Sequence, residues 1–213
     1  MNTKQIKNEL QDLISGKSGA SYDALIQTVT GQLSSGKKTS PMAEEKHQNK
    51  AREKEKLIEF AQYSNLLIEN IPEERFIASG AEQKVYIAGE NAVIKLNTSI
   101  YYASWEDYFF NLLLHNYFFA DTAYTLLGFH LSDNILYAVV KQAFIKADEM
   151  TDLNEVKKFM AANGFDNIRR HDYENKSLGL IIEDLHDENV ITAEGILYFI
   201  DTVFFINPSK FWD

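Results

Sequence analysis

The stretch EDLHDENV at residues 183–190, followed by YFIDTVFFI at residues 198–206, decides how this chain is interpreted. Asp201 lies inside the second stretch, which is otherwise almost wholly apolar and is typical of a buried strand. A buried carboxylate is costly unless it is paired, hydrogen-bonded or bound to a metal. Asp184 and Asn189 lie five positions apart in the polar first stretch, which predicts a turn. Oxygen-bearing side chains brought together in this way suit a hard divalent cation that carries phosphates.

The spacing of Asp184 and Asn189 is also that of the base and the magnesium-holding amide in a kinase catalytic loop. On these residues the chain resembles the protein-kinase-like superfamily, and its Asp-Leu-His-x-x-Asn-Val form is closest to the kinases of small antibiotics and choline. The wider string runs from LLLHNYFF at residues 112–119 to IDTV at residues 200–203. It looks like the short kinase-like domains of polyvalent proteins from phages and integrative elements. The resemblance covers about residues 73–206.

This resemblance implies an α+β protein with a minimal two-lobed protein-kinase-like fold, in which a small antiparallel-sheet lobe precedes a truncated second lobe. We expect the kinase-like domain to span residues 73–213. An N-terminal helical segment and linker at residues 1–40 and a long amphipathic helix at residues 41–72, docked on the core, would precede it. Only twelve residues follow Asp201, and we expect them to form neither an activation segment nor a helical platform for peptide substrates.

The N-terminal part of the chain has the apolar spacing of helices. It predicts one helix over residues 3–14, a second short helix over residues 22–34 and a linker over residues 34–41. A third helix is expected to begin at Ser40 and Pro41, which resemble a cap and a first helical position, and to run to about Asn70.

Composition sets limits on partners and location. The chain has 213 residues, 45% of them hydrophobic, which indicates a folded protein with a substantial core. A formal net charge of −10 argues against binding nucleic acid or an anionic membrane through bulk charge. No apolar tract reaches the ~18 residues that a membrane span needs. The absence of cysteine excludes disulfides and agrees with a cytoplasmic protein.

Residues 75–96 change to the alternating period of strands. Their order of strand, loop, strand, turn and strand places Lys95 on the third strand, as at the start of a kinase small lobe. The resemblance implies that Lys95 pairs with the α- and β-phosphates of a nucleotide, with Gly80 and Val85 beside it. Gly80 is the one glycine kept in the loop, so we expect the phosphates to be clamped loosely. The alternative for Lys95 is an exposed side chain on an edge strand.

A helix predicted over residues 103–119 begins with two acids, Glu106 and Asp107. In kinases a helix glutamate pairs with the strand lysine and holds it in place. We assign this role to Glu106 because it shares a helix face with Phe109 and Leu113. The alternative is a solvated first-turn acid that the helix dipole stabilises.

Gln142 and Phe144 fall where a kinase hinge offers backbone groups to adenine, an assignment that rests on position alone. After them we expect a helix over residues 151–163, a polar loop over residues 166–177 and a strand over residues 178–182.

The resemblance implies ATP and Mg²⁺ as cofactors. Asp184 would orient or deprotonate the acceptor hydroxyl, while Asn189 and Asp201 would hold magnesium against the β- and γ-phosphates. His186 would approach the transferring phosphate, or would make only a hydrogen bond within the turn.

The leading interpretation is therefore an ATP- and magnesium-dependent phosphotransferase that acts on an alcohol group of an unknown protein or small molecule. One alternative is a nucleotide-binding pseudokinase or interaction module of a mobile element, which the poor glycine loop favours. Another is a small-molecule kinase of the aminoglycoside or choline type. The set Lys95, Asp184, Asn189 and Asp201 favours the enzyme.

Overall fold

The structure, a computed structural model, describes residues 2–17, 24–34 and 43–213, with side chains from residue 49 onward in the last range. The linker predicted over residues 34–41 lies, apart from Ser34, outside the described residues. The helices are α1 (Thr3–Ile14), α2 (Ala24–Ser34), α3 (Ala43–Tyr63), α4 (Trp105–Phe118), α5 (Leu153–Ala162) and α6 (Pro208–Phe211). None of the described helices is both long enough and apolar enough to cross a membrane.

The strands are short and pair antiparallel. They are β1 (Phe76–Ser79), β2 (Gln83–Ile87), β3 (Ala92–Asn97), β4 (Thr125–Ser132), β5 (Ile135–Ala143), β6 (Asp166–Arg169), β7 (Asp172–Asn175), β8 (Leu180–Glu183), β9 (Val190–Ala193), β10 (Ile196–Phe199) and β11 (Val203–Ile206). Within the described residues they form a sheet in the order β1-β2-β3-β5-β4, a second sheet in the order β11-β8-β7-β6, and the β9–β10 hairpin. Helices packed with antiparallel sheets confirm the α+β class.

The chain divides into two compact units. Unit I comprises Ser21–Leu113 and Ala123–Phe144, and unit II comprises Met1–Ala20, Leu114–Thr122 and Ile145–Asp213. Helix α4 contributes its residues up to Leu113 to unit I and its remaining residues to unit II.

Unit I is built on the β1-β2-β3-β5-β4 sheet. One face of this sheet carries the buried side chains of Tyr86, Leu96 and Val139, against which Ile68 and Ile71 pack. The alternating period that predicts strands over residues 75–96 also produces this face, because successive side chains of a strand point to opposite sides.

Helix α3 ends earlier than we expected, at Tyr63 rather than near Asn70. Asn65 adopts a positive φ of 55°, which turns the chain out of the helix. The Ile68 amide then donates to the Phe129 carbonyl at 2.7 Å, so the segment continues as an extended chain along β4. Ile68 and Ile71 of the segment predicted as a helix do pack on the core, but they lie in the extended chain after α3.

Unit II contains two strands where we expected a polar loop over residues 166–177. In β7 the side chains alternate in burial, with Tyr173 at 3% and Asn175 at 7% exposure. Asn175 is tolerated there because its Oδ1 accepts the Leu178 amide at 2.9 Å. The sequence pattern did not reveal this strand because one of its two buried positions is occupied by Asn175, a polar residue whose hydrogen bond is satisfied.

The apolar run over residues 198–206 is likewise not one strand. It is divided between β10 in the hairpin and β11 in the second sheet. Asp201 lies in the bend between them and is half-buried. The expectation of a carboxylate inside a buried strand is therefore wrong, because apolar content alone does not reveal where a chain leaves one sheet for another.

Candidate active site

The turn that follows β8 is fixed by contacts to the β6–β7 turn. Asp184 adopts a left-handed conformation with φ of 66°, which aspartate tolerates better than most residues. Its amide donates to Asp172 Oδ1 at 3.1 Å. The next amide, of Leu185, donates to the His171 carbonyl at 3.0 Å, and the Leu185 side chain is fully buried. The buried leucine anchors the turn and leaves the Asp184 carboxylate on the surface, 59% exposed.

The side chain of Asn189 makes two hydrogen bonds to Asp184. Its Nδ2 donates to the Asp184 carbonyl at 2.8 Å and to the Asp184 Oδ2 at 3.1 Å. Because both donations leave from the amide nitrogen, the Asn189 Oδ1 points away from Asp184 and is left for another contact. With a spacing of five residues, the side chain at the end of the turn thus bonds the residue at its start.

His186 holds the other oxygen of the same carboxylate. The Glu188 amide donates to His186 Nδ1 at 3.2 Å, so Nδ1 carries no hydrogen and the proton of the neutral ring lies on Nε2. Nε2 faces Asp184 Oδ1 at 3.4 Å. Nδ1 also lies 3.8 Å from Asp187 Oδ1, which is too long for a hydrogen bond, so the Glu188 contact decides the tautomer.

Asp201 is brought to Asn189 through the main chain. The Asn189 carbonyl accepts the amide of Ile200 at 2.9 Å and that of Asp201 at 3.4 Å. These bonds continue the β9–β10 ladder, in which Val190 pairs with Phe199. Asn189 and Asp201 are thus neighbours because one precedes β9 and the other follows β10, at the open end of the hairpin.

The hairpin that joins them has a two-residue turn, Glu194-Gly195. Both residues have positive φ, 53° and 71°, as a type I′ turn requires. The turn sets the register of β9 against β10 and therefore sets which residue lies beside Asn189. Sequence analysis missed this hairpin, for which Glu-Gly is a weaker signal than Asn-Gly.

Glu183, the last residue of β8, carries a carboxyl beside the site. Burial raises the pKa of the Glu183 carboxyl, the negative charges of Asp172 and Asp184 raise it further, and Arg169 opposes the shift. Three acids therefore share the approach to the turn, and the ionised form of Glu183 is disfavoured in the folded chain.

We expect Glu183→Gln to raise the free energy of unfolding at pH 7. The folded-state pKa of Glu183 lies above the ordinary value of 4.5. At neutral pH the ionised carboxylate therefore lowers the free energy of unfolding of the wild-type protein. Well below pH 4.5 the carboxyl is protonated in both the folded and the unfolded state, and this cost disappears. The advantage of the variant should therefore shrink as pH falls through the folded-state pKa. Urea unfolding of both proteins at pH 7 and pH 4 measures it. A variant less stable at pH 7, or a difference independent of pH, contradicts the expectation.

Lys95 lies on β3, the middle strand of the unit I sheet, and is 5% exposed. It pairs with Val85 on one side and Val140 on the other, so these three side chains share one face of the sheet. Its Nζ lies 5.5 Å from the centroid of the Tyr124 ring. The alternative of an exposed lysine on an edge strand is therefore wrong, while the roles of Lys95 and Val85 in nucleotide binding stay predictions.

The two acids at the start of α4 have different environments. Asp107 belongs to the helix cap, since its Oδ2 accepts the Ser104 hydroxyl at 2.7 Å and its amide donates to that hydroxyl at 3.0 Å. Glu106 is buried, and its Oε1 accepts the Ser34 hydroxyl at 2.7 Å. The alternative of a solvated Glu106 is therefore wrong, and its pairing with Lys95 stays a prediction.

The remaining predicted nucleotide contacts also lie in unit I. The Gly80 amide donates to the Gln83 carbonyl at 2.9 Å, and nothing lies within 4 Å of the place a Cβ would take. Gln142 is buried in β5 at 2% exposure. The Phe144 amide donates to the Asn91 carbonyl at 3.0 Å, so this amide already has an acceptor. The roles of all three residues stay predictions.

Unit II thus gathers one group of predicted residues within a single turn and hairpin: Asp184, His186, Asn189 and Asp201. Unit I holds the others: Gly80, Val85, Lys95, Glu106, Gln142 and Phe144. Among the described residues, no three His, Asp or Glu side chains are arranged as a ready-made metal site. Sequence analysis missed His171 and Asp172, which accept hydrogen bonds from the turn. A polar segment does not indicate which distant segment it will contact.

The family to which the chain belongs agrees with this geometry. A sequence model of the family described as "Serine/Threonine/Tyrosine Kinase found in polyvalent proteins" matches residues 50–208. Searches of curated proteins and of solved structures found no match. The matched range includes Lys95, Asp184, Asn189 and Asp201 and confirms the resemblance to the kinase-like domains of polyvalent proteins. The chain belongs to the family of serine/threonine/tyrosine kinases found in polyvalent proteins.

Proposed function

We propose that the chain is an ATP- and Mg²⁺-dependent phosphotransferase whose acceptor is a hydroxyl group of a protein or small molecule. The observation that carries the proposal is the double role of Asn189. Its side chain holds the Asp184 carboxylate, and its carbonyl holds the Asp201 amide. Asp184 would serve as the base, and Asn189 and Asp201 would supply two oxygen ligands for the metal ion. Phosphoryl transfer depends on such positioning and on neutralised charge, and little on covalent chemistry by the protein.

Asp184 is the proposed base. Its carboxylate is exposed, so an acceptor hydroxyl can reach it, while Asn189 and His186 each restrain one of its oxygens. In the step, the acceptor oxygen forms a bond to the γ-phosphorus and the bond from that phosphorus to the β–γ bridging oxygen breaks. ADP leaves, and the hydroxyl proton passes to the Asp184 carboxylate.

The donor set beside Asp184 fits magnesium. Asn189 Oδ1 is directed away from Asp184, and the half-buried Asp201 lies two residues after the end of β10, the other strand of the hairpin. Mg²⁺ characteristically takes one or two protein oxygen ligands and completes its shell with substrate phosphates and water. When bound there, the ion would neutralise charge that develops on the phosphates. His186 lies in the same turn and would donate its Nε2 hydrogen to a phosphate oxygen in place of Asp184 Oδ1.

The two-lobed kinase-like arrangement is part of the proposal. Unit I would serve as the small lobe and bind the nucleotide, with Lys95 on the α- and β-phosphates and Glu106 holding the lysine. What supports this is the burial of both side chains and the position of Lys95 on a central strand. A nucleotide phosphate and a carboxylate both carry the negative charge that a lysine ammonium binds.

A nucleotide-binding pseudokinase is the second candidate, and the glycine loop favours it. Between Ser79 and Gln83 the loop has Gly80 alone, with Ala78 and Gln83 at the other glycine positions. A loop of this kind closes less tightly on phosphates. The two candidates differ in phosphoryl transfer and not in nucleotide binding, so one experiment with two readouts separates them.

The first readout is the thermal stability of the whole chain with ATP, with Mg²⁺ and with both. A nucleotide at 100 times its dissociation constant stabilises the folded state by about 2.7 kcal/mol. The second readout is transfer of label from γ-labelled ATP to an acceptor or to the chain itself. Binding with transfer supports the kinase, and binding without transfer to any acceptor supports the pseudokinase. No stabilisation at millimolar Mg-ATP contradicts both.

We expect Asp201→Asn to remove most of the magnesium-dependent part of this stabilisation. The substitution keeps the shape of the side chain but removes the charge that attracts the cation. Titration of Mg²⁺ at fixed ATP measures the effect as about a 10-fold or greater rise in the half-saturating concentration. Glu188→Gln removes one exposed negative charge beside Asn189 and is the matched control. Equal magnesium dependence in the two variants argues against a metal role for Asp201.

A further inference from the structure

His115 is a buried histidine that the proposed mechanism does not use. It lies on the part of α4 that belongs to unit II and has no solvent exposure. Its Nδ1 is 2.7 Å from the Thr202 hydroxyl, and its Nε2 is 2.9 Å from the Thr122 carbonyl. A buried ring with partners at both nitrogens is held in one orientation.

These contacts define where the hydrogens lie. A carbonyl oxygen can only accept, so Nε2 of His115 carries a hydrogen and donates to Thr122. In the neutral ring Nδ1 is then an acceptor, and the Thr202 hydroxyl donates to it. The Thr122 hydroxyl donates in turn to the Phe199 carbonyl at 2.5 Å. In this arrangement of the neutral ring, each donor in the chain of contacts has an acceptor.

The network holds both ends of the segment that carries Asp201. Phe199 ends β10 and is fixed by Thr122, whereas Thr202 precedes β11 and is fixed by His115. Ile200 and Asp201 lie between these two anchors and outside both strands. The ring of Phe119, on the same part of the chain as Thr122, also stacks on Phe199 with centroids 4.2 Å apart.

We propose that His115 is a positioning residue that fixes the bend between β10 and β11 and so aims Asp201 at its magnesium ion. The inference rests on the metal role of Asp201 in the proposed function. The Asn189 carbonyl and the pairing of Val203 with Glu183 also hold the main chain of the bend. Without the Thr202 contact, the residue next to Asp201 would lose its side-chain anchor, and the direction of the Asp201 carboxylate would be less closely defined. A ligand that must be ordered at the moment of binding holds its ion more weakly.

Thr202→Val tests the proposal without changing a metal ligand. Valine keeps the shape of the threonine but removes the hydroxyl that donates to His115. We expect the Mg²⁺ concentration that half-saturates nucleotide stabilisation to rise about 10-fold, the usual effect of losing a residue that orients a metal ligand. Thr202→Ser restores the hydroxyl and is expected to restore the magnesium dependence.

Thr192→Val is the matched control. Thr192 is also buried in unit II, and its hydroxyl donates to the Thr151 hydroxyl at 3.0 Å, away from the bend. Each valine variant loses one side-chain hydrogen bond of a buried threonine, so both should lower the melting temperature. Only Thr202→Val should change the magnesium dependence. Thr122→Val removes the other anchor of the bend and should act in the same direction, which keeps the test available if Thr202→Val does not fold.

The outcomes separate this inference from the proposed function. If the wild-type chain shows no magnesium-dependent nucleotide stabilisation, the proposed function fails, and the positioning role fails with it. If the wild type shows it and the Thr202 and Thr122 variants match Thr192→Val, the positioning role alone is overturned. Weaker magnesium dependence at Thr202 and Thr122, with rescue by Thr202→Ser, supports it.

Discussion

Replacing Asp184 by alanine is expected to lower phosphoryl transfer about 10²–10⁴-fold, the usual contribution of a general base. The carboxylate is the proposed proton acceptor, and its two oxygens lie beside Asn189 Nδ2 and His186 Nε2. Nucleotide binding should change little, because Asp184 is assigned to the acceptor hydroxyl. The measurement is the initial rate of label transfer from ATP, beside the thermal shift with Mg-ATP.

Two further variants sharpen this test. Asp184→Asn keeps the size of the side chain but removes its basicity, so it should be nearly as slow as the alanine variant. Glu188→Ala removes an acid from the same turn that has no assigned role, and it should transfer at close to the wild-type rate. If Asp184→Ala transfers phosphate as fast as Glu188→Ala, the base lies elsewhere.

The second large effect is on folding, at Gly128. This glycine follows a bulge in β4 and has a φ of +151°. A Cβ at this position would overlap the carbonyl oxygen of Leu66, which accepts the Phe129 amide at 2.8 Å. Gly128→Ala therefore combines backbone strain with overpacking, and we expect it to lower the free energy of unfolding by about 2–4 kcal/mol.

Gly31→Ala is the control for this prediction, since it is the same chemical change in the same unit. Gly31 lies within α2 with an ordinary helical φ and open space around its Cα. Alanine there should stabilise the protein by up to about 1 kcal/mol. Urea unfolding of both variants measures the two effects, which should have opposite signs. A Gly128→Ala protein as stable as the wild type would mean that the extended chain after α3 does not lie against β4.

The turn of residues 184–189 could be predicted because it depends on neighbours in sequence, and the α+β class was implied by the resemblance to kinase-like domains. Asp184 and Asn189 are five residues apart in one polar stretch, so the contact between them is local in sequence, although the β6–β7 turn holds it in place. Lys95 was placed on a strand by an alternating period of apolar residues. The match to a kinase family of polyvalent proteins agrees with these local patterns.

The bend that carries Asp201 could not be predicted from the same kind of pattern. Its apolar run looks continuous, yet it serves two different sheets, and the hairpin that brings Asp201 beside Asn189 depends on a Glu-Gly turn with a weak sequence signal. The end of α3 was misjudged for a related reason. Its apolar residues fit a helix and an extended strand equally well, and pairing with β4 decided between them.

Short stretches of the sequence were enough to predict the turn that contains Asp184 and Asn189, and the motifs in them carried the resemblance that implied the α+β class and the kinase family. These features depend on residues that lie close together in the chain. The folded structure was needed to show that Lys95 lies on a central strand, that a polar stretch forms β6 and β7, and that His115 contacts Thr202 beside Asp201. Each of these depends on which distant segment supplies hydrogen-bond partners and burial. That choice reflects the free energy of the whole chain, and no single stretch encodes it.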